Sequence, residues 1–311
     1  MYTITKFQKA QTILLTLFVI VFWGCKEDQN RAPVGIVQIA ADELKTEFLN
    51  TMGQPDLAPT EWKLIDQIEL ENFSPLGVTA FSNVILISDT LQQLFLKVKR
   101  SNPIQIDTLN KNDKILYSRQ NVSRMPAPVF DKNKLKIYRG AQSLEPMPVT
   151  MPFDKPSSVF AVKMDSLVVV NNGGHNIMTL RKETIQTIGK QGTEKGMFNN
   201  PTSVYLNQNY IYVVDSGNKR VQVFSFAGEF LISFGESENL IEPTGITGDE
   251  KHIYLSDPES NAIFVYSKTG KFSHKITENI NQPQDVYYMD NQLFVSNRMG
   301  PTISIFLKVV S

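Results

Sequence analysis

From Trp62 onward, apolar and polar residues alternate in short runs instead of recurring at helical spacing. The stretch "YVVDSGNKRVQVF", beginning at Tyr212, gives two valines, a tight turn at Asp215-Ser216-Gly217-Asn218, and then valines alternating with polar residues. That is the pattern of two short strands around a turn. It recurs: "YLSDPESNAIFVY" begins at Tyr254, 42 residues later, and "FVSNRMGPTISIF" at Phe294, 40 residues after that. Self-similarity at a fixed period of this length points to a repeat architecture.

Alignment on a proline that precedes a short strand gives Pro75, Pro156, Pro201, Pro243 and Pro283. Three residues after each stands a β-branched residue: Val78, Val159, Val204, Ile246 and Val286. Two further apolar residues follow at the next strand, as in Leu86-Ile87 or Tyr212-Val213. The turn after them carries Asp89, Asp215, Asp257 or Asn297, and in one copy, displaced by one residue, Asn171. Alternating pairs such as Val221/Val223 and Ile303/Ile305 predict a third strand, and Phe230/Ile232 or Ile104/Ile106 a fourth. Four short strands per repeat is the sequence form of a propeller blade, which must stack on neighbours to bury both its faces.

The last copy ends after its third strand, and "EWKLIDQIEL", from Glu61 to Leu70, reads as a fourth strand with no partners before it. The pattern therefore predicts an all-β, six-bladed β-propeller of four-stranded antiparallel blades over residues 62–311, closed by this N-terminal strand completing the last blade. Five blades are visible. The sixth is expected in residues 109–155, where Pro126, Pro128, Pro146, Pro148 and Pro152 interrupt the strands.

The segment "NNPTSVYLNQNYIYVVDSGNKRVQVFSFAGEFLISFG" closely resembles the NHL repeat, matching its turn and ending at Asp215, Ser216, Gly217, Asn218, Arg220, Gly228, Phe230 and Gly235. The resemblance implies a propeller of the kind that mostly serves as a binding platform. A minority of such proteins are lyases or lactonases with a metal in the central channel. The turn residues Asp89, Asn171, Asp215, Asp257 and Asn297 are expected to act structurally, accepting backbone amides. His175 matches a position at which the family often has histidine.

The N-terminus suggests export. Lys6 and Lys9 precede the uncharged run "TILLTLFVIVFW", followed by Gly24 and Cys25, the chain's one cysteine. The run is too short to span a bilayer but suits a signal peptide. A small residue before cysteine resembles the lipobox of bacterial lipoproteins, and Lys26-Glu27-Asp28 looks like the tag that follows the lipidated cysteine in surface lipoproteins of some Gram-negative bacteria. The expectation is a signal peptide over 1–24, lipid on Cys25 anchoring the chain at the outer membrane or cell surface, and a linker over 25–61. Within that linker, Ile39, Leu44, Phe48 and Met52 are spaced for a short amphipathic helix.

Lysine plus arginine balance aspartate plus glutamate at 31 each, which gives no bulk attraction for nucleic acid. His175, His252 and His274 fall at unrelated places in the template, so they are not expected to share a zinc ion. No cofactor is predicted, and no metal ligands are assigned. On the innermost strand, the copies have Gly77, Ser158, Ser203 and Gly245, but Asp285 in the last. That carboxylate could bind a divalent cation in the channel or simply be solvated there. Two functions stay open: a non-catalytic, monomeric propeller recognising a protein or glycan, and a metal-dependent hydrolase or lyase acting on a small extracellular substrate. For the first, Arg124, Tyr138 and Arg139 in the proline-rich segment are candidate anchors. A decayed blade under no binding demand is the other reading of that segment.

Overall fold

The computed structural model describes residues 34–309 apart from 54–58, 82, 90–94, 102, 110–114, 117–118, 121–126, 132–133, 140–142, 147–152, 164–165, 182–183 and 208–209; side chains are further undescribed at 34–41, 81, 95, 107–152, 161–163 and 166. The chain divides into two compact units, Met1–Glu43 and Leu44–Ser311, and the propeller lies in the second. Among the described residues no helix is long and apolar enough to cross a membrane.

Helix α1 (Val34–Met52) ends at Gly53, whose φ of +72° is the left-handed conformation that commonly stops a helix. Its residues Leu44, Phe48 and Met52, four apart, share one face, and that face packs on the propeller core. Phe48 is fully buried, its ring edge-on to Tyr210 at 4.7 Å.

Strand β1 (Trp62–Glu69) precedes the blades. Blade I comprises β2 (Pro75–Phe81), β3 (Val84–Asp89), β4 (Phe95–Lys99) and β5 (Gln105–Leu109). A further sheet contains β6 (Ile115–Leu116), β8 (Ala127–Asp131), β9 (Lys134–Arg139) and β10 (Ser143–Pro146), while β7 (Arg119–Gln120) belongs elsewhere. Blade II is β11 (Pro156–Lys163), β12 (Ser166–Asn171), β13 (Asn176–Arg181) and β14 (Thr184–Ile188). Blade III is β15 (Pro201–Asn207), β16 (Tyr210–Asp215), β17 (Arg220–Ser225) and β18 (Phe230–Phe234). Blade IV is β19 (Ile246–Gly248), β20 (His252–Asp257), β21 (Ala262–Ser267) and β22 (Phe272–Ile276). Blade V has β23 (Pro283–Met289), β24 (Gln292–Asn297) and β25 (Thr302–Lys308), with β1 as its outermost strand.

The expectation of six equivalent antiparallel blades is corrected. Five blades follow the proline-led template, and their inner strands β11, β15, β19, β23 and β2 stand side by side in that order. The sheet of β6, β8, β9 and β10 does not follow it: β6 has only two residues, and β7 leaves this stretch to pair in parallel with β11 as a fifth strand of blade II. Proline has no amide to donate, so the proline-rich stretch cannot sustain a regular ladder. Strand β1 pairs antiparallel with β25, from Trp62↔Lys308 to Glu69↔Thr302, and so completes the last sheet. This is not the closure of a ring of six equivalent blades that the pattern predicted.

Central strands are covered on both faces, which is why β16 reads as the near-continuous apolar run "IYVV", with all four residues fully buried. Each such valine contributes about 1.5 to 3 kcal/mol of burial. Blades I, II, III and V share a register shift just after the proline, as between Pro201 and Ser203, which bends the inner strand.

Candidate functional site

The residue after the leading proline joins one blade to the next. Ser157 Oγ donates to the carbonyl of Pro201 at 3.3 Å, Thr202 Oγ1 to Thr244 at 2.9 Å, and Thr244 Oγ1 to Gln284 at 2.6 Å. Asp285 continues this seam. It is 3% exposed, and its Oδ2 accepts the N–H of Val78 in blade I at 2.9 Å. On its other side Oδ1 lies where a Cβ on Gly245 would approach to 2.2 Å, so the carboxylate fills a space that only glycine leaves open. The neighbouring inner-strand positions offer Gly77, Gly245 and Ser203, and the Ser203 hydroxyl is itself buried. This donor set does not fit a divalent cation, which takes six to eight oxygen ligands.

The five turn residues share one task. Asp215 Oδ1 accepts the N–H of Asn199 at 2.7 Å, Asp257 Oδ2 that of Ile241 at 2.7 Å, Asn297 Oδ1 that of Asn281 at 3.0 Å, and Asn171 Oδ1 that of Asp154 at 2.6 Å. Asp89 takes the N–H of Ser74. Each turn thereby fixes the segment that enters its own blade's inner strand. In blade III, Arg220 adds a buried ion pair to Asp215, Nε to Oδ2 at 2.9 Å, and donates from Nη2 to the carbonyls of Glu194 and Met197.

The histidines are dispersed. His175 Nδ1 accepts the N–H of Asn200 at 3.0 Å, and His274 Nδ1 meets Ser273 Oγ at 2.9 Å. His252 Nδ1 is 3.4 Å from Asp249 Oδ1 but without hydrogen-bond geometry. Among the described residues no three His, Cys, Asp or Glu side chains form a group able to hold a metal.

Asp249, at the loop between β19 and β20, is the centre of a polar cluster that sequence reasoning missed. Its Oδ1 accepts the N–H groups of Lys251 and His252 at 2.8 and 2.6 Å, while Oδ2 accepts Tyr254 Oη at 2.8 Å and Lys308 Nζ at 2.7 Å. Burial acts to raise this carboxyl, but His252, Lys308 and Tyr254 outweigh it and hold it well below the usual carboxylate range. Lys268, 3% exposed, donates from Nζ to Tyr205 Oη at 3.2 Å and lies 4.9 Å from the centre of that ring. Burial pushes its ammonium down to about 8, against the attraction of Asp249 and Glu250. These contacts are internal to blades III, IV and V and give the cluster a structural role.

On the opposite face, blade V carries an open depression of about 330 Å³ lined by Gln67, Glu69, Asn279, Asn281, Asn297 and Thr302, with Ile280, Met299 and Gly300 completing it. About half of its wall is polar, from amides, the Thr302 hydroxyl and the Glu69 carboxylate. Asn297 Nδ2 donates to Thr302 Oγ1 and Ser304 Oγ at 3.0 and 2.9 Å, and Ser304 Oγ donates to the carbonyl of Asn279 at 3.1 Å.

Residues 198–224 match the model of the NHL repeat. The match contains the Asp215 turn and the Arg220 ion pair described above. The chain matches no curated protein sequence. Among solved structures it is similar to a catalytically inactive virginiamycin B lyase from Staphylococcus aureus with quinupristin, at 13% identity and TM-score 0.58, covering 80% of this chain and 100% of that one. It is similar to a gluconolactonase from Xanthomonas campestris at 10% identity and TM-score 0.64, covering 81% and 91%. The WD40 propeller domain of Doa1 aligns at 10% identity and TM-score 0.54, covering 79% and 96%. At such identities these likenesses establish the propeller fold alone.

The five turns are where the sequence placed them. Asp285 lies on an inner strand, and its environment is a joint between blades instead of open channel. Cys25 and Arg124 lie outside the described residues, as do the side chains of Tyr138 and Arg139, whose backbone is in β9. The depression carried no distinctive sequence signal: five residues after the turn residue the copies have Leu94, Asn176, Arg220, Ala262 and Thr302, so arginine stands in one of the five.

Proposed function

We propose that this chain is a non-catalytic binding or scaffolding propeller, held at a bacterial cell envelope by lipid on Cys25, that recognises a protein or glycan through loops on its faces. The observation that carries this reading is the open depression of blade V, which presents amides, a hydroxyl and the Glu69 carboxylate on a propeller face. The commitment of Asp285 to the seam supports it. Rigid blades with variable loops suit such a role, because the framework stays fixed while the loops change. The proline-rich segment 109–155, with Arg124, Tyr138 and Arg139, offers a second contact region.

The test uses full-length protein in detergent. Partners captured from envelope extract are compared between the parent, a depression variant (Thr302→Arg) and a variant with alanine at Arg124, Tyr138 and Arg139. Loss of a defined partner in either variant supports the reading. A partner set unchanged in both, with the fold intact, overturns it. A stoichiometric, tightly held cation in purified protein, with turnover of a lactone, would favour a metal-dependent hydrolase instead. Detergent partitioning lost in Cys25→Ala supports the anchor.

A further inference from the structure

Blades III and V correspond position by position around their turns but carry different side chains there. Arg220 follows Asp215 by five residues and pairs with it across the turn between β16 and β17, and Thr302 stands in the same relation to Asn297. The entering segments also correspond. Met197 and Asn279 each lie four residues before their proline, and their carbonyls accept Gln222 Nε2 at 2.7 Å and Ser304 Oγ at 3.1 Å respectively. In blade III the space above this carbonyl is filled by the guanidinium of Arg220, which reaches Glu194 and Met197. In blade V the hydroxyls of Thr302 and Ser304 stand there, accepting the Gln67 amide from β1 at 3.3 and 3.5 Å, and the space beyond them is the 330 Å³ depression.

We propose that blade V binds a guanidinium group brought by a ligand, in the place where blade III holds its own. The proposal rests on the binding reading above and specifies its chemistry. The charge has moved in keeping with it. The Asp215 carboxylate on the floor of blade III is replaced by Asn297, whose amide is already satisfied by Thr302 and Ser304. The negative charge is instead Glu69, which pairs in register with Thr302 from the outer strand. In blade III the residue beside Arg220 is Gly235, where an added Cβ would lie 3.6 Å from Arg220 Cα and no carboxylate is present. A planar guanidinium can present two parallel N–H groups to the Glu69 carboxylate while another donates to the second lone pair of the Asn279 carbonyl. An ammonium, as a compact point charge, lacks that fork. The group could come from a free small molecule or from an arginine side chain of a partner chain.

The experiment titrates the full mature chain, by NMR of side-chain amides and by calorimetry, with N-acetylarginine amide and with free arginine. N-acetylcitrulline amide, which keeps the shape without the charge, and N-acetyllysine amide are the controls. The expected result is saturable binding of an arginine probe that shifts the amides of Gln67, Asn279, Asn281 and Asn297, weakens about tenfold in Glu69→Gln, and is absent in Thr302→Arg, where the introduced side chain occupies the space. Tighter binding of N-acetylarginine amide indicates a partner's arginine, and tighter binding of free arginine a small molecule. Citrulline binding as well as arginine, an arginine affinity unchanged in Glu69→Gln, or no saturable shift with either arginine probe would overturn the proposal. Glu69 is exposed, so its variant decides the matter even where Thr302→Arg fails to fold. Loss of probe binding with partner capture retained sinks the guanidinium assignment alone, whereas absence of any partner sinks the broader reading.

Discussion

The carboxylate of Asp285 accepts the backbone N–H of Val78 at 2.9 Å, across 207 residues of sequence. One side chain thus joins blade V to blade I, and Gly245 of blade IV makes room for it. Three blades meet at a single carboxylate.

Asp285→Ala is expected to lower stability by about 1 to 3 kcal/mol, because the Val78 amide stays buried without its acceptor. Gly245→Ala should also destabilise, its Cβ being driven against Asp285 and Ser256. The double variant should lose less than the sum of the two, since removing the carboxylate relieves part of the clash. Urea denaturation of the four proteins measures this coupling, and strict additivity would contradict it.

Lys268 makes stability depend on alkaline pH. Its ammonium is lowered from 10.5 to about 8 in the folded protein. Between those values the unfolded chain binds more protons, so stability rises with pH, with a limiting slope of about 1.4 kcal/mol per unit. Above about pH 10 the trend reverses, because burial raises the phenols of Tyr205, Tyr212 and Tyr254 and the unfolded chain then releases protons that the native one keeps. Lys268→Met is expected to abolish the rise between pH 8 and 10 and to be the more stable protein below pH 8. Denaturation curves taken at half-unit steps of pH check both points.

Strand β1 protects β25. A chain truncated through Leu70 leaves the ladder of Thr302–Lys308 unpaired and removes the Trp62 ring from its edge-on contact with Tyr254 at 5.6 Å. Such a chain is expected to aggregate through the exposed edge. Sedimentation of the two proteins compares them, and a soluble monomer with the parent's melting temperature would refute the expectation.

Phe48→Ala should cost about 3 to 5 kcal/mol, the range for a fully buried phenylalanine. The cost would show as a lower melting temperature, together with faster proteolysis after Lys45, on the same helix. An unchanged melt would mean that α1 contributes nothing to the stability of the blades.

The turns were legible because their chemistry is local: Asp215 and the amide it accepts are sixteen residues apart, and the proline fixes the offset. The position of Asp285 was legible for the same reason, but its surroundings were not, since Val78 and Gly245 come from other blades. The Asp249 and Lys268 cluster gave no signal, because it joins two loop residues to strand residues of three blades, which the repeat does not relate to one another. That Thr302 stands where blade III has Arg220 could be read from the alignment of copies, but Asn176 and Ala262 stand there in other copies. That the space stays open could not, because Gln67 and Glu69 reach it from β1, with Gln67 lying 235 residues from Thr302. The sixth blade expected in residues 109–155 is not formed; the sheet of β6, β8, β9 and β10 departs from the template through pairings that its prolines leave unspecified.

The pairing of β1 with β25 also fixes an order of events during biosynthesis. The ribosome makes β1 before the five blades and β25 after the other strands of the last one, so the first strand of the propeller waits for its partner until all five blades have been made. For that interval the edge of β1 must be kept from other chains, and the loop to be closed runs from Glu69 to Thr302. A nascent chain stalled before Thr302 cannot complete its last sheet, which makes the making of Thr302–Lys308 a checkpoint on whether the molecule leaves its assembly line folded.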